Sequence, residues 1–331
     1  MRPRVTLTLA VVAVLVGVVM LVPAAARLVI DNNGGNLASA GGGAEQPSPL
    51  TPSSSTPPPP TLAAGPVSVD FKGDFFGWAL KDRSTGKIDG SKNMSETSST
   101  ESMLKVWIVS DYLRQLGSKD PSATLQTAAS LAIRDSDDNA ADQVYFAAGG
   151  SYRPQQDGKP DPVIQRAITI CGLTDTRRSS VAEKAGWWSF TEMSPRDTVR
   201  LGDCIASGKA AGKKWTMWVL REMSNVRGGV KDQHATSGGG RWGIIDGLPA
   251  EIKAQGPVSI KNGWTLLGYD GNWHVNCLAV TNKWSLAVMM RYPASRGLGY
   301  GAQVCASVAT QLVTPQPGAA LKVPQQPVGK L

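Results

Sequence analysis

Large apolar residues follow three regimes along this chain. Residues 7–22 are apolar except for Thr8 and Gly17, residues 32–66 hold almost none, and from 67 to 313 they recur with the periods of regular structure. Residues 75–81, rich in aromatic and apolar side chains, predict a strand, and Asp82-Arg83-Ser84-Thr85-Gly86 predicts the turn into a second, so a hairpin opens this unit. Ser98 with Glu101 three residues on reads as a capping box, and Leu104, Trp107, Ile108 and Tyr112 behind it recur at helical spacing. Leu125, Ala128, Ala129, Ala132 and Ile133 mark a second helical face, and residues 140–146 a third. Asp161-Pro162 and Ser194-Pro195 each place a capping side chain before a proline at the first turn, and Gly172 ends the helix that the first of them starts. Past Gly240 the period shortens towards 2. Residues 258–264, 274–281 and 284–291 read as three strands, with Asp270-Gly271 and Asn282-Lys283 in the turns, and a closing helix covers about 301–313. Elements segregated in this way argue for an α+β (α/β-type) fold, an antiparallel sheet flanked by helices with a central helical region.

The ends differ in kind from this unit. Residues 67–313 form one body near the size at which a single core stops growing, about 250–300 residues. Residues 32–66 are Gly-, Ser-, Thr- and Pro-rich, with a run Pro57-Pro58-Pro59-Pro60, and can bury too little surface to offset their ordering entropy; they read as a disordered linker. Residues 314–331, with four prolines, read as a disordered tail. At the front, Arg2 and Arg4 precede the apolar stretch, so residues 1–31 read as an export segment whose basic end stays inside. Ala24-Ala25-Ala26 offers a cleavage site, while the 22 residues from Val5 to Ala26 reach the length of about 20 that spans a bilayer. Signal peptide and membrane anchor both remain open, and the length favours the anchor. The expected location is the outer side of the cell membrane, single-pass, or the cell envelope after secretion.

Charge and cysteine usage narrow the chemistry. The formal charge of +8 suits anionic partners, but Lys and Arg are scattered and their densest doublets, Arg177-Arg178 and Lys213-Lys214, are not interleaved with aromatics, so nucleic acid is not an expected partner. Four cysteines without a C-x-x-C pair and only two histidines give no expectation of a metal site, and no cofactor is implied. An even cysteine count in an exported chain suggests two disulfides, of which three connectivities are open; Cys171–Cys204 and Cys277–Cys305 are favoured because each stays within one half of the unit.

Ser102-Met103-Leu104-Lys105 puts a hydroxyl and an amine three residues apart on one face of a first helical turn, where the amine, if neutral, can take the hydroxyl's proton. The helix N-terminus adds backbone N–H groups where an oxyanion would form. Alone the pattern says little, since Ser84-Thr85-Gly86-Lys87 matches it within a turn. Its order with two further motifs says more: Ser136-Asp137-Asp138 follows at a helix end, then Lys261-Asn262-Gly263 on a strand of the C-terminal sheet.

This series resembles the S-x-x-K, S-D-N and K-T-G signature of the serine β-lactamases and penicillin-binding proteins, and class A β-lactamases among them. The resemblance spans nearly all of 67–313 and includes Thr191-Glu192-Met193-Ser194-Pro195-Arg196-Asp197, which looks like the segment after an omega-type loop. It implies a Ser102 acyl-enzyme, with Lys105 as base or relay and Ser136 passing a proton to the leaving nitrogen. Asp138, Lys261, Asn262, Gly263 and Thr265 would bind substrate, Lys261 through its carboxylate. One oxyanion donor would be the Ser102 N–H, the other on Thr265 or Leu266. The partner would be a β-lactam or a peptidoglycan peptide, with the membrane reached through the N-terminal segment.

The departures matter as much. Asp138 stands where the family has Asn, which turns a donor-acceptor amide into an acceptor. Asn262 replaces the threonine of K-T-G, and Trp264 follows it. The separation 136 − 102 = 34 is shorter than in class A enzymes, and the E-x-x-L-N pattern that activates the deacylating water is missing between 174 and 193, leaving only Glu183 and Glu192. Trp187-Trp188 reads as core or lid packing ahead of a carbohydrate platform, and His274 as a structural histidine ahead of one facing the site. Two functions follow: an acyl-transferring or hydrolytic serine enzyme that deacylates slowly, or a catalytically silent relative that binds peptidoglycan or an envelope protein.

Overall fold

The computed structural model describes residues 59–153, 158 and 160–314. In chain order the strands are β1 (Thr61–Leu62), β2 (Phe75–Asp82), β3 (Ile88–Gly90) and β4 (Ser98–Ser99). A 3-10 turn, Glu101–Leu104, runs directly into α1 (Lys105–Leu116), and then come α2 (Ala123–Arg134), α3 (Asp138–Ala147) and α4 (Pro162–Cys171). After β5 (Glu192–Met193) follow α5 (Pro195–Ala206), α6 (Gly212–Ser224) and the short α7 (Ile244–Gly247) and α8 (Ala250–Lys253). The chain closes with β6 (Ser259–Leu267), β7 (Asn272–Val280), β8 (Trp284–Pro293), α9 (Gly297–Gln311) and β9 (Val313–Thr314).

The expected caps form. Asp161 accepts the Val163 N–H at 2.8 Å to start α4, Gly172 ends it in the left-handed region, and Ser194 accepts the Asp197 N–H at 3.0 Å to start α5. Ser98 does not cap α1. It lies in β4, paired with Met193 of β5, and the Glu101 carboxyl turns back to Ser99 instead of a backbone N–H. The boundary of the folded body also moves outward. Thr61 and Leu62, assigned to the linker, pair with Thr314 and Val313, and Leu62 packs on the core. The export segment, most of the linker and the tail beyond 314 lie outside the described residues. Among the described residues no helix is long and apolar enough to cross a membrane.

Five strands form one antiparallel sheet in the order β3-β2-β8-β7-β6. Although the sequence shortens towards period 2 here, β7 and β8 are buried almost without interruption, because helices cover both faces. Thr198 of α5 reaches Met289 and Gly202 lies against Ser285, which puts the odd positions of β8 under α5. Tyr292, an even position, accepts the Gly301 N–H of α9 on the opposite face. Cys277–Cys305 ties β7 to α9, and Cys171–Cys204 ties the end of α4 to α5, both as favoured from the sequence. α1 is buried from Lys105 to Leu113 and packs against α2, α3, α4 and α6. The 3-10 turn and the first residue of α1 bring the serine and lysine of the first motif to the edge of the sheet, beside β6.

Candidate active site

A cleft of about 470 Å³ opens between β6, the start of α1 and the segment before α3. Ser102, Ser136, Asp138 and Thr265 line it, together with Glu101, Asp142, Tyr152, Trp187, Trp188 and the loop 233–237. A hollow of about 550 Å³ near Thr61 and Trp284 holds none of the motif residues. Volume is therefore no guide to the site here, and convergent chemistry is.

Ser102 sits at the second position of the 3-10 turn, with no partner for its hydroxyl among the described residues. Gly263 of β6 presses on that turn: a Cβ there would lie 2.4 Å from the Met103 nitrogen and 2.9 Å from that of Ser102. The glycine of the third motif thus lets the strand approach the backbone N–H groups suited to an oxyanion.

Lys105 is fully buried, and its Nζ donates to the Ser136 carbonyl at 2.5 Å and to Asp138 Oδ1 at 2.5 Å. Burial lowers its pKa, against the pull of Asp138. Lys261 is also buried, with Nζ at 2.8 Å from Ser136 Oγ and 3.0 Å from the Asn262 carbonyl. Burial and the neighbouring Lys105 charge push it well down. Ser136 holds the two amines apart. Its φ of +54°, rare for a residue with a Cβ, turns the carbonyl to one lysine and the hydroxyl to the other. Asp138 is bonded to Lys105 and so opposes the fall of its pKa more directly than that of Lys261, whose Nζ rests on Ser136.

Two substrate-binding assignments change. Asn262 lies opposite Cys277 in the β6–β7 register and so points to the α9 side of the sheet, where its amide donates to the Gly240 and Trp242 carbonyls at 2.9 Å each. Lys261 is on the correct face but lies behind the cleft wall, tied to Ser136, so it is placed to move a proton and not to grip a carboxylate directly. Gly263 acts through its backbone alone, and Thr265 lines the cleft.

The glutamates weighed for water activation are elsewhere. Glu183 is exposed on the turn Ala182–Lys184, and Glu192 is held by Arg177, Ser180 and Thr97. Trp188 is core: it packs under Lys105, 5.7 Å from its Nζ, and donates to Asp142 and Tyr152. Trp187 stands on the rim, 45% exposed, with its ring tilted against Tyr152 and edge-on to Phe190. His274 faces the site side of the sheet, bonded to Ser99 and Asp270. Asp142 and Tyr152 carry no motif, and Glu101 reads in the sequence only as part of a capping box although it is the immediate neighbour of Ser102.

A helix-borne serine and lysine, a second serine in a strained turn and a lysine-glycine strand at the sheet edge define the fold of the serine β-lactamases and penicillin-binding proteins. Solved structures bear this out. PBP-A aligns at a TM-score of 0.50 with 14% identity, covering 71% of this chain and 87% of its own. The TLA-3 extended-spectrum β-lactamase aligns at 0.53 with 13% identity, covering 72% and 92%. The class A β-lactamase from Mycobacterium abscessus aligns at 0.50 with 14% identity, covering 72% and 92%. At such identities the likeness establishes the fold. No family model matches the chain. No curated protein matches it either.

Proposed function

We propose that the cleft performs acyl transfer through an ester on Ser102, with a β-lactam or a D-alanyl cell-wall peptide as acyl donor, outside the cytoplasmic membrane. The observation that carries this reading is the junction at Ser136, where a hydroxyl bonded to a low-pKa amine stands beside a second buried amine and an unpartnered serine. Lys105 or the Ser136–Lys261 pair takes the Ser102 proton as Oγ attacks the acyl carbon, and Ser136 returns it to the leaving nitrogen. Backbone N–H groups of the turn hold the oxyanion.

Hydrolysis of the ester is the weak step. The three carboxyl groups in the cleft are engaged: Asp138 by Lys105, Asp142 by Tyr152 and Trp188, and Glu101 by Ser99. Without a free carboxylate to activate water, assistance worth about 10²–10⁴-fold is missing from deacylation, and an adduct that forms in seconds persists for minutes to hours. Intact mass after incubation with a penicillin tests this. The native protein is expected to carry one adduct and Ser102→Ala none; rapid turnover without an accumulating adduct would contradict it.

One observation favours a second reading. The Lys105–Asp138 pair at 2.5 Å stabilises the ammonium form of the residue that has to be neutral to act as base. A site locked in that state binds peptidoglycan or an envelope partner without reacting, and absence of any adduct with a panel of β-lactams would move the assignment there.

A further inference from the structure

A fully buried carboxyl group lies one residue before Ser102 and takes no part in the relay through Ser136. Glu101 has φ +49°, and with Ser136 it is one of two non-glycine residues at positive φ among those described. Both line the cleft. This conformation aims Glu101 into a line of hydrogen bonds: Oε1 lies 2.7 Å from Ser99 Oγ, which lies 2.6 Å from His274 Nδ1, whose Nε2 lies 2.8 Å from Asp270 Oδ2. β4 supplies the serine, β7 the histidine, and the turn before β7 the aspartate, whose side chain is 24% exposed.

Counting protons along the line fixes its state. Burial would raise Asp270, but hydrogen bonds from His274 and the Asn272 N–H outweigh it, so the carboxylate is ionised and only accepts. His274 Nε2 therefore carries hydrogen. Burial lowers the His274 pKa, and a neutral ring then offers Nδ1 as an acceptor. Ser99 Oγ is placed to donate to Glu101 Oε1, but against a neutral ring whose Nδ1 accepts, its single proton goes to Nδ1 instead and it presents a lone pair to Glu101. Only a protonated Glu101 completes that contact. The other arrangement, imidazolium with Glu101 carboxylate, holds the same number of protons but buries two more charges, which burial disfavours. Burial likewise raises Glu101 to about 7, against the Thr265 hydroxyl and against Ser99 in so far as Ser99 donates to the carboxyl.

The groups facing Glu101 reinforce this. Asp138 of α3 and Asp270 both raise it, Tyr269 lies beside Asp270, and Arg291 of β8 acts on His274 and Tyr269. Lys105 and Lys261 are turned to Ser136 and Asp138 instead. The Glu101 peptide leads into the Ser102 N–H, and the Thr265 hydroxyl of β6 is within hydrogen-bonding reach of its carboxyl. These two backbone segments are the ones expected to carry the oxyanion donors.

We infer that Glu101 is a pH-switched positioning residue for Ser102: as a neutral acid it anchors the Ser102 turn to Ser99 of β4, and on ionising it sets a negative charge behind the forming oxyanion. The inference rests on the Ser102 reading above. The Ser99–His274–Asp270 line is the device that keeps the acid neutral.

The test is the rate at which a penicillin and a fluorophosphonate acylate Ser102 in the full-length chain, from about pH 5 to about pH 9, with Glu101→Gln alongside. Glutamine keeps a donor towards Ser99 and never ionises. In the parent the rate is expected to fall about tenfold per pH unit above roughly 7, and in Glu101→Gln that falling limb is lost. The same falling limb in both proteins overturns the switch. Carboxyl and imidazole NMR of the unsubstituted protein decides the point even where the variant does not fold. A Glu101 carboxyl titrating near neutrality beside an Nε2–H imidazole is expected, and an ionised Glu101 beside an imidazolium at about pH 5 overturns the inference even if Ser102 reacts. Failure of both probes at every pH removes the Ser102 reading and the catalytic half of this inference together, while the NMR titration still decides the state of Glu101.

Discussion

The middle of α1, at Asp111, and its N-terminal end, at Lys105, each bury a charge, and they treat it oppositely. Six residues after Lys105, the fully buried Asp111 receives Arg166 through both Nε and Nη2, Arg114 at 2.5 Å and Gln115 at 2.9 Å, and Arg166 also donates to the Ala148 carbonyl. Every lone pair on Asp111 has a donor, and the planar guanidinium fixes their geometry. At the N-terminal end two amines contend for one carboxylate, Asp138, whose side chain is 50% exposed, and a serine in a strained turn stands between them. The first cluster has one stable arrangement of protons. The second leaves one of its two amines without a carboxylate bonded to it, an arrangement that serves proton transfer and that stability does not reward.

Breaking the satisfied cluster has the largest expected effect. Asp111→Ala strands two guanidinium groups and an amide, and removing one partner of a buried charge network costs about 3–5 kcal/mol. Urea unfolding reads that loss directly. The folded fraction should still react at Ser102 at the parent rate, since Asp111 does not line the cleft. A loss below about 1 kcal/mol would show that the Arg166 and Arg114 contacts contribute no more than an exposed pair.

The cleft end is expected to show the reverse sign, and pH exposes it. Glu101 titrates near 7 when folded and near 4.5 when unfolded, so the folded state binds the proton more tightly. Its contribution to stability is fully present below about 4.5 and is lost as pH rises through about 7, by an amount of about 3 kcal/mol at most. Glu101→Gln should therefore match the parent at low pH and exceed it at about pH 8 in denaturant midpoint. A variant equally or less stable at both pH values would show that the carboxyl is not held neutral by the fold.

The sequence carried the frame of this comparison and missed its substance. Caps at Asp161 and Ser194, the helical spacing of α1 and the order of three motifs are local signals, so they were legible. Asn262 was misplaced because a motif names residues without saying which face of a two-sided sheet each one takes; its pairing opposite Cys277 decides that. Ser98 read as a cap because spacing cannot show that β5, more than ninety residues later, claims its backbone. Glu101 was taken for half of that capping box, and its partners Ser99, His274 and Asp270 meet only when β4 and β7 are brought together. Asp138 was seen as an altered substrate contact, whereas its carboxylate serves Lys105.

That last residue offers the smallest and most discriminating change. Asp138→Asn restores the amide of the S-D-N pattern and removes the charge that holds Lys105 as an ammonium 2.5 Å away. In the interior such a pair would be strong, but Asp138 is half exposed, and screening by solvent reduces its hold to about 1–1.5 kcal/mol, or roughly one pKa unit. With that hold gone, burial drives the Lys105 pKa further down, and more of it is neutral near pH 7. If Lys105 is the base, acylation of Ser102 by a penicillin should rise by up to about tenfold at neutral pH, with its rising limb shifted to lower pH by about one unit. The gain should vanish at high pH, where Lys105 is neutral in both proteins. If the Ser136–Lys261 pair is the base instead, the rate at neutral pH stays within about twofold, because removing Asp138 leaves the Lys261–Ser136 contact in place. A parent that is inert and an Asp138→Asn variant that forms the Ser102 adduct would identify the Lys105–Asp138 pair as the lock that silences this fold. An inert variant with an intact fold would show that the lock lies elsewhere.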